Sequence, residues 1–143
     1  MDNIRDNRGL AYDVHSSFSA QKEPGSFQVW VQTKNESANE AIGEIFKELR
    51  RMRAELVSEK ELADAKAYLT GSFPLRMDTS AKIASMLTSI ELFNLGLDYP
   101  QKYPALINAV TREEVRRAAN KYLRPDNMVI VVVADQEKAG LKY

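Results

Sequence analysis

From Leu10 to Phe18 the apolar residues Leu10, Tyr12, Val14 and Phe18 share one parity, and Asp13, His15 and Ser17 hold the other. A period of two predicts a half-buried strand. Gln21-Lys22-Glu23-Pro24-Gly25 carries a Pro-Gly turn signal, after which Phe27, Val29 and Val31 alternate against Gln28, Trp30 and Gln32. This predicts a second strand, a hairpin, and a wet face that is polar apart from Trp30.

The period then lengthens. Ala41, Ile42, Ile45, Phe46, Leu49 and Met52 recur at three- and four-residue steps after Ser37-Ala38-Asn39-Glu40, which reads as a capping box opening an amphipathic helix. Ser58-Glu59-Lys60-Glu61 opens a second helix, expected to falter around Gly71 and to end or kink at Pro74. A third follows Asp78-Thr79 and stops at Asn94-Leu95-Gly96, and a short one covers Lys102 to Val110. Thr111-Arg112-Glu113-Glu114 is a third capping box, leading a helix stopped by Pro125. Finally, Met128-Val129-Ile130-Val131-Val132-Val133-Ala134 reads as a strand covered on both faces or an interior strand of a sheet, and not as an edge. The order strand, strand, helices, strand predicts an α+β fold: a two-layer sandwich of a mixed, mostly antiparallel sheet with helices on one face. With no repeat, low-complexity tract or linker, residues 1–143 read as a single domain.

Composition narrows the chemistry. The 143 residues include one His and no Cys, so a Cys/His zinc site and a cysteine nucleophile are excluded. Twenty Lys plus Arg balance twenty Asp plus Glu, and acidic residues interleave with the basic clusters around Arg50 and Arg116, which reads as solvated helix faces and not as a nucleic-acid or membrane surface. No G-x-G-x-x-G or G-K-[ST] loop occurs. His15, with Ser17 and Asp13 beside it on one strand, reads as a solvated histidine. What remains is Arg5-Asp6-Asn7-Arg8-Gly9-Leu10-Ala11-Tyr12. A loop arginine and a strand-start tyrosine joined through glycine can converge on one spot, where a guanidinium fork and a phenolic O–H suit a polarised peptide carbonyl. Parity alone instead places Tyr12 inward with Leu10 and Val14.

At these residues the sequence resembles the insulinase-like (pitrilysin, inverzincin) zinc metallopeptidase family, specifically its non-zinc C-terminal half-domain. The likeness is carried by Ile4-Arg5 with Arg8-Gly9-Leu10-Ala11-Tyr12, by Gly25-Ser26-Phe27, Gln32-Thr33-Lys34, Val57-Ser58 with Glu61-Leu62 and Ala65-Lys66, by Gly71-Ser72-Phe73-Pro74-Leu75, and by the terminal valine-rich strand. In this family two similar domains enclose a chamber, and the N-terminal one binds zinc on an inverted H-x-x-E-H motif. That motif is absent here. The resemblance therefore implies a chain that holds no cofactor and is inactive alone. Its zinc would come from a partner domain in the same polypeptide or another subunit, with Arg5 and Tyr12 gripping the peptide substrate. Gln28, Trp30 and Gln32, on the wet parity, are the residues expected to line the chamber. The alternative is a noncatalytic structural or interaction subunit of the same fold. The family's domain is longer at its start, which implies missing first strands, open sheet edges and self-association. Any signal peptide would lie upstream, so the compartment is left open.

Overall fold

The structure, a computed structural model, describes residues 11–142. They form two compact units, residues 11–55 with 117–142 and residues 56–116. The architecture is α+β.

The first unit opens with strands β1 (Ala11–Ser19) and β2 (Ser26–Thr33), paired antiparallel. Gly25 closes their connection at a point where a Cβ would lie 1.6 Å from the Ser19 carbonyl oxygen, so the turn requires a residue without one. The register sets Val14 opposite Val31, Ser16 opposite Val29 and Phe18 opposite Phe27, which gathers the apolar parity on one face. Helix α1 (Ala38–Ala54) follows. Its start differs from the expected capping box: a 3-10 turn over Asn35–Ser37 leads straight into it, and Ser37 has helical backbone angles and makes no side-chain cap. A capping side chain needs extended backbone at that position, and the preceding turn removes it. Leu49, Ala119 and Leu123 form a buried cluster onto which Phe27, Ile45, Met52 and Met128 pack. Phe27 thus joins the hairpin's apolar face to the helices.

Residues 128–134 depart from the sequence expectation. Among the described residues they form no ladder, and the two-stranded sheet is the only one. A strand exists only through a hydrogen-bonded neighbour, and β-branched composition cannot supply one. Val129, Val131 and Val133 are 89%, 83% and 98% exposed, against 40% and 37% for Ile130 and Val132, so the run is one-sided where double coverage was expected. A one-turn helix, α6 (Gln136–Ala139), follows, and Asn39 of α1 hydrogen-bonds the segment just beyond it.

The second unit is helical. Helix α2 (Glu59–Ser72) begins with the expected box: the Glu61 N–H donates to Ser58 Oγ at 3.1 Å and the Ser58 N–H to Glu61 Oε2 at 2.9 Å. A 3-10 turn containing Pro74 succeeds it. Thr79 caps α3 (Ser80–Leu92), and Asn94 and Gly96 stop it with positive φ. Helix α4 (Tyr99–Ala109) starts earlier than expected, with Pro100 in its first turn and Pro104 in its interior. Phe73 stacks on Tyr103 at 3.9 Å, with Tyr99 edge-on to both. The box at Thr111, reciprocal with Glu114, opens α5 (Arg112–Tyr122), which belongs to the first unit from Arg117 on.

Candidate functional site: the polar face of the hairpin

On the face of the hairpin opposite the apolar pairs, the register brings Asp13 opposite Gln32, His15 opposite Trp30, and Ser17 opposite Gln28. All six side chains are exposed. The alternation of β2 is therefore sufficient to bring Gln28, Trp30 and Gln32 to one surface, as the sequence pattern predicted.

Tyr12 reaches its position differently. Ala11 pairs with Thr33 and Asp13 with Gln32, so two steps on β1 match one on β2 and Tyr12 is the extra residue of a bulge. The parity that places Tyr12 with Val14 breaks there. Its side chain is 66% exposed and makes no hydrogen bond within the described residues, whereas Val14, two positions on, is buried. No glycine marks the bulge, so simple alternation missed it. Arg5 lies outside the described residues.

Two contacts organise this face. The His15 Nδ1–H donates to Asp13 Oδ2 at 3.1 Å, which fixes the ring's tautomer, since a carboxylate only accepts. The ring lies nearly parallel to the Trp30 indole, 14° between planes and 6.5 Å between centroids. Asp13 holds His15, and the cross-strand pair aligns His15 with Trp30. This arrangement was not legible before the register was known. The six-residue connection Ala20–Gly25, and not the composition of either strand, sets that register.

The chemistry on offer is hydrogen bonding and aromatic contact. Tyr12 supplies an O–H, Gln28 and Gln32 supply amides that both donate and accept, and Trp30 supplies a half-exposed ring. No serine hydroxyl hydrogen-bonds His15 among the described residues, so Asp13-His15 lacks the nucleophile of a triad. Nor do any three His, Asp or Glu side chains among the described residues converge as metal ligands, and these residues do not fit a zinc ion. No described helix is long and apolar enough to cross a membrane.

Comparison with known proteins bears on the whole chain. The sequence model of the peptidase M16 inactive domain matches residues 1–69. A curated relative from Helicobacter pylori, the non-peptidase homolog YmxG, is 27% identical over 141 residues, covering 96% of this chain and 32% of that protein. The crystal structure of a peptidase M16 inactive domain from Pseudomonas fluorescens superposes with a TM-score of 0.77 at 30% identity, over 88% of this chain and 30% of that one. The chain thus spans about a third of the length of these relatives. Sequence and fold agree: the chain is similar to the peptidase M16 inactive domain in sequence over residues 1–69 and in fold over 88% of its length.

Proposed function

We propose that this chain is the zinc-free half of a two-domain metallopeptidase site, in which the polar hairpin face holds an extended peptide and Tyr12, with Arg5, donates to the carbonyl under attack. The observation that carries the reading is the bulge at Tyr12, which frees a phenol from the core parity and leaves its O–H without a partner in the described structure. Bulges re-aim side chains beside working sites, at some cost in ladder hydrogen bonds. Gln28 and Gln32 offer both donors and acceptors to a peptide backbone, and Trp30 offers a surface for side chains of many kinds. Zinc would belong to the partner domain, in the same polypeptide or a separate subunit. This chain's own part is to bind, orient and donate hydrogen bonds.

The test uses this chain assembled with its zinc-bearing partner domain. Tyr12→Phe should lower kcat by about 10²-fold, the scale of removing one oxyanion donor. Thermal stability should stay unchanged, since the lost hydroxyl bonds nothing in the described structure. Arg5→Ala should act similarly, and the double variant should fall short of the product because both donors serve one oxygen. Near-wild-type turnover in both single variants refutes the reading. It would favour instead a noncatalytic interaction module, a role that the curated relative's description as a non-peptidase homolog makes the natural second reading.

A further inference from the structure

The peptide reading gives tasks to Tyr12, Gln28, Trp30 and Gln32 and leaves the pair of Asp13 and His15 without one. Both side chains of that pair are more than half exposed, at 59% and 55%, so water competes for their hydrogen bond and it adds little to stability. Its consequence is geometric. A bond at 3.1 Å fixes the turn of the imidazole about χ2, a torsion otherwise broad for this side chain, and the ring so fixed lies within 14° of parallel to the Trp30 indole. The indole has the same broad torsion, which its flat neighbour restricts. Yet the centroid separation of 6.5 Å is near the wide end of the range for ring pairs, and Trp30 keeps 58% of its surface bare. The indole is oriented and still open.

We infer that Asp13 and His15 are positioning residues for Trp30, and that the oriented indole is a subsite for one uncharged aromatic side chain of a bound peptide. The inference rests on the peptide reading and names its side-chain preference. In an extended peptide lying along β2, the amides of Gln28 and Gln32, two residues to either side of Trp30, meet backbone groups, which brings a single side chain over the indole. Shape selects that side chain. A ring packs offset or edge-on against the indole and gains beyond its buried area, whereas an aliphatic chain of similar size gains the area alone. Because the indole is held before the peptide arrives, less rotamer freedom is lost on binding. Charge disfavours an acidic side chain, since Asp13 is the one carboxylate among the six residues of this face. It gives a cation little, since that carboxylate is exposed and already bonded to His15.

Trp30 is the sole tryptophan of the 143 residues, so the tryptophan emission of the unlabelled chain reports this subsite alone. The probes are short, end-blocked peptides, neutral but for a varied central residue that is Phe, Leu, Ala or Lys. The Phe peptide is expected to bind about tenfold tighter than the Ala peptide and about threefold tighter than the Leu peptide, with Trp30 emission moving to the blue as water leaves the ring. His15→Ala should bring the Phe and Leu peptides to within about twofold of each other, and Asp13→Ala should do the same. Asp13→Asn, which keeps an acceptor for the imidazole N–H, should retain most of the preference, whereas a merely structural role would move every peptide together. Binding of all four peptides within about twofold leaves the peptide reading standing and overturns this inference. So does a salt-sensitive preference for Lys, or a Phe preference that survives both alanine variants. A chain that binds none of them refutes the peptide reading, and this inference with it.

Discussion

Asn39, at the start of α1, ties the first unit's two segments together. Its Nδ2 donates to the carbonyl oxygens of Ala139 and Gly140 at 2.9 and 3.0 Å, and its Oδ1 accepts from the Lys142 N–H at 3.0 Å. Three net hydrogen bonds at roughly 0.5–1.5 kcal/mol each set an upper bound of about 4.5 kcal/mol. Two of the three are exposed, so water replaces them, and the freed tail regains conformational entropy. Asn39→Ala should therefore cost about 1–2 kcal/mol. Asn39→Asp is the sharper test, because it keeps shape and the Oδ1 acceptor while replacing the amide donor with an oxygen facing two carbonyl oxygens. At neutral pH it should cost at least as much as alanine, and it should recover in part once acid protonates the new carboxyl and restores an O–H donor. Urea denaturation gives the energies, and exchange of the Lys142 amide should speed up about tenfold for each ~1.4 kcal/mol lost. An aspartate variant as stable as the parent at neutral pH would refute the tie.

Four further substitutions and a change of pH probe the same physics. Ser58→Ala and Thr111→Ala should each cost about 1 kcal/mol by urea titration, while Ser37→Ala should be nearly neutral because Ser37 caps nothing. Gly25→Ala should cost about 3 kcal/mol, at the upper end of overpacking penalties, since its Cβ meets fixed backbone; loss of the hairpin's amide protection reports it. The Asp135 carboxylate accepts from the Lys138 side chain and backbone at the start of α6, and these bonds hold its pKa below the ordinary 3.8. A depressed carboxylate stabilises the fold above its unfolded pKa and loses that contribution as pH falls through the folded one, so exchange at α6 should accelerate only below about pH 4.

Sequence pattern revealed those features whose cause is local. The reciprocal boxes at Ser58 and Thr111, the stop at Asn94 to Gly96 and the polar parity of Gln28, Trp30 and Gln32 all depend on residues within four positions of one another. The same motif reading failed at Ser37, where the preceding 3-10 turn decides the backbone angles. It failed at Tyr12 because one inserted residue shifts every assignment before it and leaves no compositional mark. Residues 128–134 mislead most, since their valines report a preference for pleated surface and the ladder belongs to whichever segment lies beside them.

The electrostatic balance of the hairpin's polar face constrains what it suits. Asp13 is its one carboxylate, and that group already accepts a hydrogen bond from His15, while the remaining groups are amides, hydroxyls and aromatic rings. A ligand recognised by charge would need a fixed counter-charge, and the described residues of this face provide none to spare. Neutral donors and acceptors at alternate positions of β2 match the repeat of an extended backbone, which has the same spacing whatever its side chains. Binding there would be broad in sequence and weakly sensitive to salt. Discrimination among peptides would then fall to the aromatic side chains of Trp30, exposed on this face by strand parity, and of Tyr12, exposed at the bulge beside it.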